Sequence, residues 1–225
     1  MKPDFLLSPR ERDLVKQIVR NKLTMVGEGA AMASAIAVKH VLHNGIPGDF
    51  VECGVWRGGN ALVAATIIQN HSEDRKIHLF DTFSGMTEPE NIDAALNDGT
   101  PAIREYEKMK RDDHVDWCFA SIEEVKRVFS EGGIREDRAC FVKGDVRETL
   151  AEQENLPETI SVLRLDTDWY ASTKLELEVL YPRLSKGGVL MIDDYDGGPA
   201  LAKRPTSTLS SKSSGHSLQQ SKMVG

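Results

Sequence analysis

Residues 162–170, VLRLDTDWY, and residues 187–195, GGVLMIDDY, each run as a short apolar stretch into a pair of carboxylates. An apolar run of this length reads as a strand buried on both faces. Acids at its carboxyl end fall where open parallel sheets place their ligands. If Asp166, Asp168, Asp193 and Asp194 converge there, they repel one another unless something positive sits between them. A hard divalent cation such as Mg²⁺, which prefers oxygen ligands, is the simplest such partner. A single Asp after a strand is as readily a cap or a turn former. Two pairs separated by a helix-length segment make a site the stronger reading.

Further strands and helices alternate around these two segments. GDFVECGVW, RKIHLFD and ACFVKGD read as strands one to three, ISVLRLD as strand four and GGVLMID as strand five. Apolar residues Leu14, Ile18, Val19 and Leu23 recur at helical spacing over 10–23, with Ser8 and Pro9 as cap and first turn. A second helix is predicted over 29–43, a third over 60–70, and another from TKLELEVLYPRL between the last two strands. SIEEVKRVF reads as a helix capped by Ser121, with Glu124 at the capping-box position. Strands alternating with helices predict an α/β fold with a parallel, doubly wound sheet. Residues 1–45 would pack as N-terminal helices on a domain spanning 46–196. Within it, 82–115 is polar, contains Pro89 and Pro101, and reads as a lid or binding loop with a short helix near 103–111.

Composition bounds the function. The chain has 225 residues with 40% hydrophobic and 28% charged, which suits one α/β domain. A net charge of −7 argues against partners such as nucleic acid or anionic membrane. No apolar run reaches roughly 18 residues, and MKPDFLLSPRERD has no signal-peptide pattern, so a cytoplasmic protein is expected. Cys53, Cys118 and Cys140 form an odd set without metal-ligand spacing and read as reduced thiols. From 197 to 225 the composition changes: seven Ser, four Lys or Arg, and no Asp or Glu. That tail reads as disordered.

Three strand ends carry further candidates. Strand one leads into ECGVWRGGN, with Glu52, Gly54, Gly58 and Gly59. Glycines at a strand-to-helix turn let the backbone approach a ligand, or serve only tight packing. Glu52 is placed to accept from an ammonium group. Asp81, ending strand two, suits a ribose diol or a helix cap. Asp145, after strand three, suits an exocyclic amine or a turn. Trp56 fits beneath a ligand or in the core, and Trp169 and Tyr170 would shape an acceptor pocket. His114 and Trp117 could contact a substrate or cofactor, but their polar neighbours make a surface role the stronger reading.

GDFVECGVWRGGN, LFDTFSGM, LRLDTDWYAST and LYPRLSKGGVLMIDDY resemble the macrocin O-methyltransferase family, over residues 20–196. The resemblance implies a Rossmann-like class I methyltransferase fold and an S-adenosylmethionine- and Mg²⁺-dependent transfer of methyl to sugar hydroxyls of natural products. It implies Mg²⁺ on Asp166, Asp193 and Asp194, with Asp168 as general base. It places Glu52 and the Gly54–Gly59 turn, with Gly58, on the methionine moiety, Asp81 on the ribose and Asp145 on the adenine. The partner would be a small-molecule acceptor, a glycoside. After Tyr195 the chain departs from the family, as a shifted reading frame would make it, and the family's last two strands do not appear. An uncovered sheet edge would then favour a homo-oligomer. Two other readings stay open: a cofactor-binding family member impaired in turnover, and an O-methyltransferase for a catechol or other vicinal-diol acceptor.

Overall fold

A computed structural model describes residues 6–71, 74–95 and 98–193; Asp194 and the tail 197–225 lie outside them. In chain order come α1 (Pro9–Arg20), α2 (Glu28–His43), β1 (Asp49–Cys53), α3 (Gly59–Asn70), β2 (Ile77–Asp81), α4 (Ile103–Met109) and α5 (Ile122–Glu131). They are followed by β3 (Ala139–Lys143), α6 (Val146–Thr149), β4 (Ile160–Leu165), α7 (Tyr170–Val179) and β5 (Leu184–Ile192). The five strands form one sheet in the order β3-β2-β1-β4-β5, with every pairing parallel. The chain runs outward from β1 on one side and outward from β4 on the other. The order therefore reverses between β1 and β4, the position where such sheets open a crevice at their carboxyl ends.

Two apolar layers hold the sheet. On one face Phe50, Ile77, Leu79 and Val162 meet Val15 and Ile18 of α1, Val38 and Val41 of α2, Val63 and Ile67 of α3, and Val125 and Phe129 of α5. On the other, Val51, Cys53, Phe80, Leu163 and Leu165 meet Val146, Leu150 and Leu180. The alternation follows from the two-residue period of a strand, which sends neighbours to opposite faces. It also sends Glu52 to the same face as Phe50, and Arg164 to the same face as Val162, although both are charged.

Element ends follow local chemistry. Ser8 and Glu11 complete a reciprocal capping box at α1, with Pro9 in the first turn. At α5, Ser121 Oγ accepts from the Glu124 N–H, but the Glu124 carboxylate bonds Arg57 Nε at 2.6 Å, so only half of the predicted box forms. The helix after β4 begins at Tyr170 and ends at Val179, three residues ahead of its predicted start and short of its predicted end. Pro182 explains the early stop, because it lacks an N–H and disfavours helix in the residue before it. Tyr181–Arg183 make a 3₁₀ turn instead, and β5 starts at Leu184, earlier than GGVLMID suggested. The short α6 carries too few residues to show a period. Among the described residues nothing pairs with the outer side of β5.

Leu163 lies in the middle of a central strand with 0% exposure. Leu163→Ala should lower the unfolding free energy by about 2–5 kcal/mol, through lost burial and the cavity left behind. Urea unfolding checks this: the midpoint should fall at unchanged slope.

Candidate active site

The strand ends are brought together by the backbone. The Asp166 N–H donates to the Cys53 carbonyl at 2.8 Å, Asp193 N–H to Leu165 at 2.9 Å, Gly54 N–H to Phe80 at 2.9 Å and Gly144 N–H to Asp81 at 3.0 Å. Gly54 adopts φ +81°, and a Cβ there would lie 1.9 Å from the Asp166 carbonyl oxygen. Only glycine lets β1 turn against β4 at this point. Gly58 and Gly59 serve packing: a Cβ on Gly58 would meet Val125 Cγ1 at 2.8 Å, and one on Gly59 the Leu23 carbonyl at 2.5 Å. The Gly59 N–H is itself bonded to Leu23.

Asp81 ties the turn after β1 to the end of β2. Its Oδ2 accepts from the N–H groups of Val55 (2.7 Å) and Trp56 (3.0 Å), and its Oδ1 from Phe83 N–H at 2.7 Å. Burial raises its pKa, and these backbone donors oppose the rise. Asp145 caps α6 through Arg147 N–H and also takes Arg147 Nε and Nη2, the latter at 2.6 Å. Burial acts to raise its pKa, but the Arg147 contacts hold it below the usual range.

The acids of β4 and β5 converge on an arginine. Arg164, 4% exposed, pairs with Glu52 across the β1–β4 ladder. Its Nη1 lies 2.9 Å from Glu52 Oε1 and 2.8 Å from Asp166 Oδ2, and its Nη2 lies 2.6 Å from Asp193 Oδ2. The positive group between the acids is thus a side chain of VLRLD itself. An arginine inside an otherwise apolar strand was the available signal, since a buried guanidinium requires acids around it. Among the described residues no group of three or more Asp, Glu, His or Cys is arranged to hold a metal ion; Asp194 lies outside them. Burial pushes Glu52 up to about 7 against the pull of Arg164 and Asn60. Glu52 Oε2 and Asn60 Oδ1 are buried acceptors without a partner.

Above this layer opens a cleft of about 530 Å³. Its lining includes Gly54, Asp81, Asp145, Asp166, Asp168 and Asp193, but not Glu52, Gly58 or Gly59, which lie behind the wall. Met86 and Thr87 come from the 82–115 segment read as a binding loop, whereas Met25, Val26 and Gly27, from the α1–α2 connection, carry no sequence signal. Trp117 is not a plain surface residue: it lines the cleft and stacks edge-on against Trp169, centroids 5.5 Å apart. Trp169 is 3% exposed and donates its ring N–H to the Thr87 carbonyl at 3.0 Å. Asp93, in the same segment, accepts from Tyr170 N–H at 3.2 Å, so two bonds tie that segment to the start of α7. His114 is held outside the cleft by Asp113 and Asp116. Trp56, Cys118 and Asp168 line the cleft and hold left-handed φ values of 48°, 56° and 62°. Such backbone strain in non-glycine residues concentrates at ligand sites.

A parallel doubly wound sheet with this cleft over its switch point is Rossmann-like, and its likeness to a solved O-methyltransferase makes it the class I methyltransferase fold. Comparison with known proteins gives the family. The macrocin-O-methyltransferase (TylF) family profile matches residues 4–205, beyond the span of the sequence motifs. The chain is 34% identical over 173 residues to the 8-demethyl-8-(2,3-dimethoxy-alpha-L-rhamnosyl)-tetracenomycin-C 4'-O-methyltransferase of Streptomyces olivaceus, covering 76% of this chain and 62% of that protein. It is 35% identical over 173 residues to the mycinamicin III 3''-O-methyltransferase of Micromonospora griseorubida, covering 76% and 65%. Among solved structures, the O-methyltransferase NovP matches with a TM-score of 0.65 at 32% identity, over 79% of this chain and 69% of NovP. The calicheamicin methyltransferase CalS11 shares the fold, with a TM-score of 0.58 at 21% identity, over 87% of this chain and 82% of that one. The chain belongs to the macrocin O-methyltransferase family. It spans 62–65% of the length of the curated relatives it matches.

Replacing Arg164 with Met should leave Glu52 buried beside two further acids without their cation. Breaking a buried ion pair from one side destabilises by about 3–5 kcal/mol. Urea unfolding of Arg164→Met should show a loss of that size, and Glu52→Gln in the same background should recover part of it.

Proposed function

We propose that this protein is an S-adenosylmethionine-dependent O-methyltransferase whose acceptor is a hydroxyl on the sugar of a glycosylated natural product. The observation that carries the reading is the convergence of Gly54, Asp81, Asp145 and the Asp166–Asp168 turn on one cleft at the switch point of the sheet. Membership in a family whose curated relatives are named sugar O-methyltransferases supports the acceptor class.

The residues suit the cofactor. Gly54 lets the backbone come close, and Asp81 faces the cleft at the end of β2, a position suited to a ribose. Asp145 faces the adenine end, where Arg147 shares its carboxylate. Behind the turn, Glu52 holds Arg164 and Asn60 and backs the methionine end of the cleft without lining it. Gly58 and Gly59 pack the turn closely against Val125 and Leu23 and so hold it beneath the methionine moiety. S-adenosylmethionine supplies the activated methyl group, so the protein's task is positioning.

The residues also suit Mg²⁺, which commonly binds through one or two carboxylates and keeps several waters. Asp166 and Asp193 are hard donors held on one guanidinium, Asp166 at Nη1 and Asp193 at Nη2; Asp194, the third proposed ligand, follows directly in sequence. Arg164 would then set the two carboxylates and temper their repulsion. Bound there, the ion would orient an acceptor oxygen and stabilise its developing charge. Asp168, on the cleft wall, takes the hydroxyl proton, an effect worth about 10²–10⁴-fold. Trp117 and Trp169 give the acceptor an aromatic wall, and the 82–115 segment acts as the binding loop.

Incubation with S-adenosylmethionine, Mg²⁺ and a rhamnosylated polyketide should give a monomethylated product by mass spectrometry. Chelation should abolish the transfer and added Mg²⁺ should restore it; undiminished transfer after exhaustive chelation rejects the metal. Asp168→Asn should lower kcat by about 10²–10⁴-fold with cofactor affinity retained in calorimetry. Asp81→Ala should weaken cofactor binding by about 1.5–3 kcal/mol, and equal affinities would remove Asp81 from the site.

A further inference from the structure

Beneath the Asp166–Asp168 turn lies an acid that the proposed reaction leaves unused. Glu176, in α7, is 0% exposed. Its Oε1 accepts from Thr167 Oγ1 at 2.9 Å, while Oε2 is buried without a partner. Thr167 Oγ1 is also 2.9 Å from Ser172 Oγ, and Ser172 Oγ donates to the Trp169 carbonyl at 2.9 Å. Thr167 and Ser172 both line the cleft. The Thr167 carbonyl accepts from Trp169 N–H at 2.7 Å, closing the turn that keeps Asp168 at φ +62°. A left-handed, non-glycine residue persists only where its surroundings over-determine it. Here the side-chain hold from below runs from Glu176 through Thr167.

Stability alone does not account for an acid at this place. A carboxyl sealed from water with one oxygen unbonded destabilises relative to an apolar side chain of similar size. Burial pushes Glu176 up to about 8 against the Thr167 hydrogen bond, and the charges of Asp166 and Asp145 act in the same upward direction. The titratable groups that bear on it are Asp166 at the end of β4, Asp145 at the cap of α6 and the Cys53 thiol on β1, all of acid type. At neutral pH the side chain is therefore a neutral hydrogen-bonding group, which Gln imitates and Leu does not.

We propose that Glu176 is a positioning residue for methyl transfer, fixing the Asp166–Asp168 turn, and with it the Asp168 carboxylate, through the hydroxyl of Thr167. The proposal rests on the reading of Asp168 as the group that takes the acceptor proton.

Three variants test it: Glu176→Gln, Glu176→Leu and Thr167→Val. Each is assayed for kcat and for KM of S-adenosylmethionine, and by hydrogen exchange of the peptide covering 166–170. In Glu176→Leu and Thr167→Val the exchange of that peptide should accelerate. In both, kcat should fall by about 10- to 100-fold with KM for the cofactor unchanged. Glu176→Gln should keep parental exchange, and its kcat should stay within about threefold of the parent, since a neutral side chain with an acceptor oxygen is retained. Melting temperature against pH gives an independent readout. A carboxyl raised in the folded state from 4.5 to about 8 contributes stability that is full below about 4.5 and is lost as pH rises towards 8. That decline should flatten in Glu176→Gln. Parental exchange in both Glu176→Leu and Thr167→Val overturns the proposal, as does a loss in Glu176→Gln equal to that in Glu176→Leu. Faster exchange with parental kcat keeps the hold on the turn but removes Asp168 from the chemistry, which separates the two failures. If Glu176→Leu does not fold, Thr167→Val carries the same decision.

Discussion

Arg164 reaches three separate parts of the chain with one guanidinium: Glu52 on β1, Asp166 at the end of β4 and Asp193 after β5. The switch point of a parallel sheet is where neighbouring strand ends diverge, so something has to set their spacing there. Backbone bonds from Asp166 to Cys53 and from Asp193 to Leu165 carry the ladder to its last residue. Arg164 extends it through side chains. Planar, permanently charged and rich in donors, it can satisfy several carboxylates at fixed angles, which a lysine in its place could not do. The acids of the cleft floor are therefore arranged before any ligand arrives. Arrangement of this kind is what a methyl transfer needs, because the activated methyl is brought by the cofactor and the protein supplies orientation and charge.

The walls follow the same division between rigid floor and shaped rim. The proposed cofactor side is made from the glycine turn and Asp81, held by three backbone N–H groups. The proposed acceptor side is made from two tryptophans and a polar segment tied to the start of α7 through Thr87 and Asp93. Under the proposed function, variation in that segment would change which acceptor fits without disturbing the floor, a common allocation of specificity to loops on a fixed scaffold. In this family the named relatives act on different glycosides, in keeping with that division.

Much of the fold was legible because its strands appear as short apolar runs ended by Asp or Gly; β1, β2 and β4 are buried on both faces, while β3 and β5, at the sheet edges, are only partly so. Asp81, Asp166 and Asp193 could be placed at strand ends from those runs alone. What stayed hidden depended on pairing between distant segments. That Arg164 lies opposite Glu52 is a matter of sheet register, which VLRLD does not disclose. Trp117 looked like a surface residue because its sequence neighbours are polar, yet its contact is Trp169, far along the chain. Glu176 lies inside the TKLELEVLYPRL helix segment with no local signal to mark it, and only its burial against Thr167 sets it apart. Gly58 and Gly59 were read with the ligand because a glycine turn gives the same sequence signal for close packing and for close approach.

Crystals grown with S-adenosylhomocysteine and Mg²⁺ test the central claim most directly, that this cleft is the methyl-transfer site. The expected result is cofactor density running from the Gly54 turn past Asp81 to Gly144 and Asp145, with an octahedrally coordinated ion at Asp166 and Asp193 and the Arg164 guanidinium still between those acids. Cofactor bound elsewhere, or an empty cleft at saturating ligand, would contradict it.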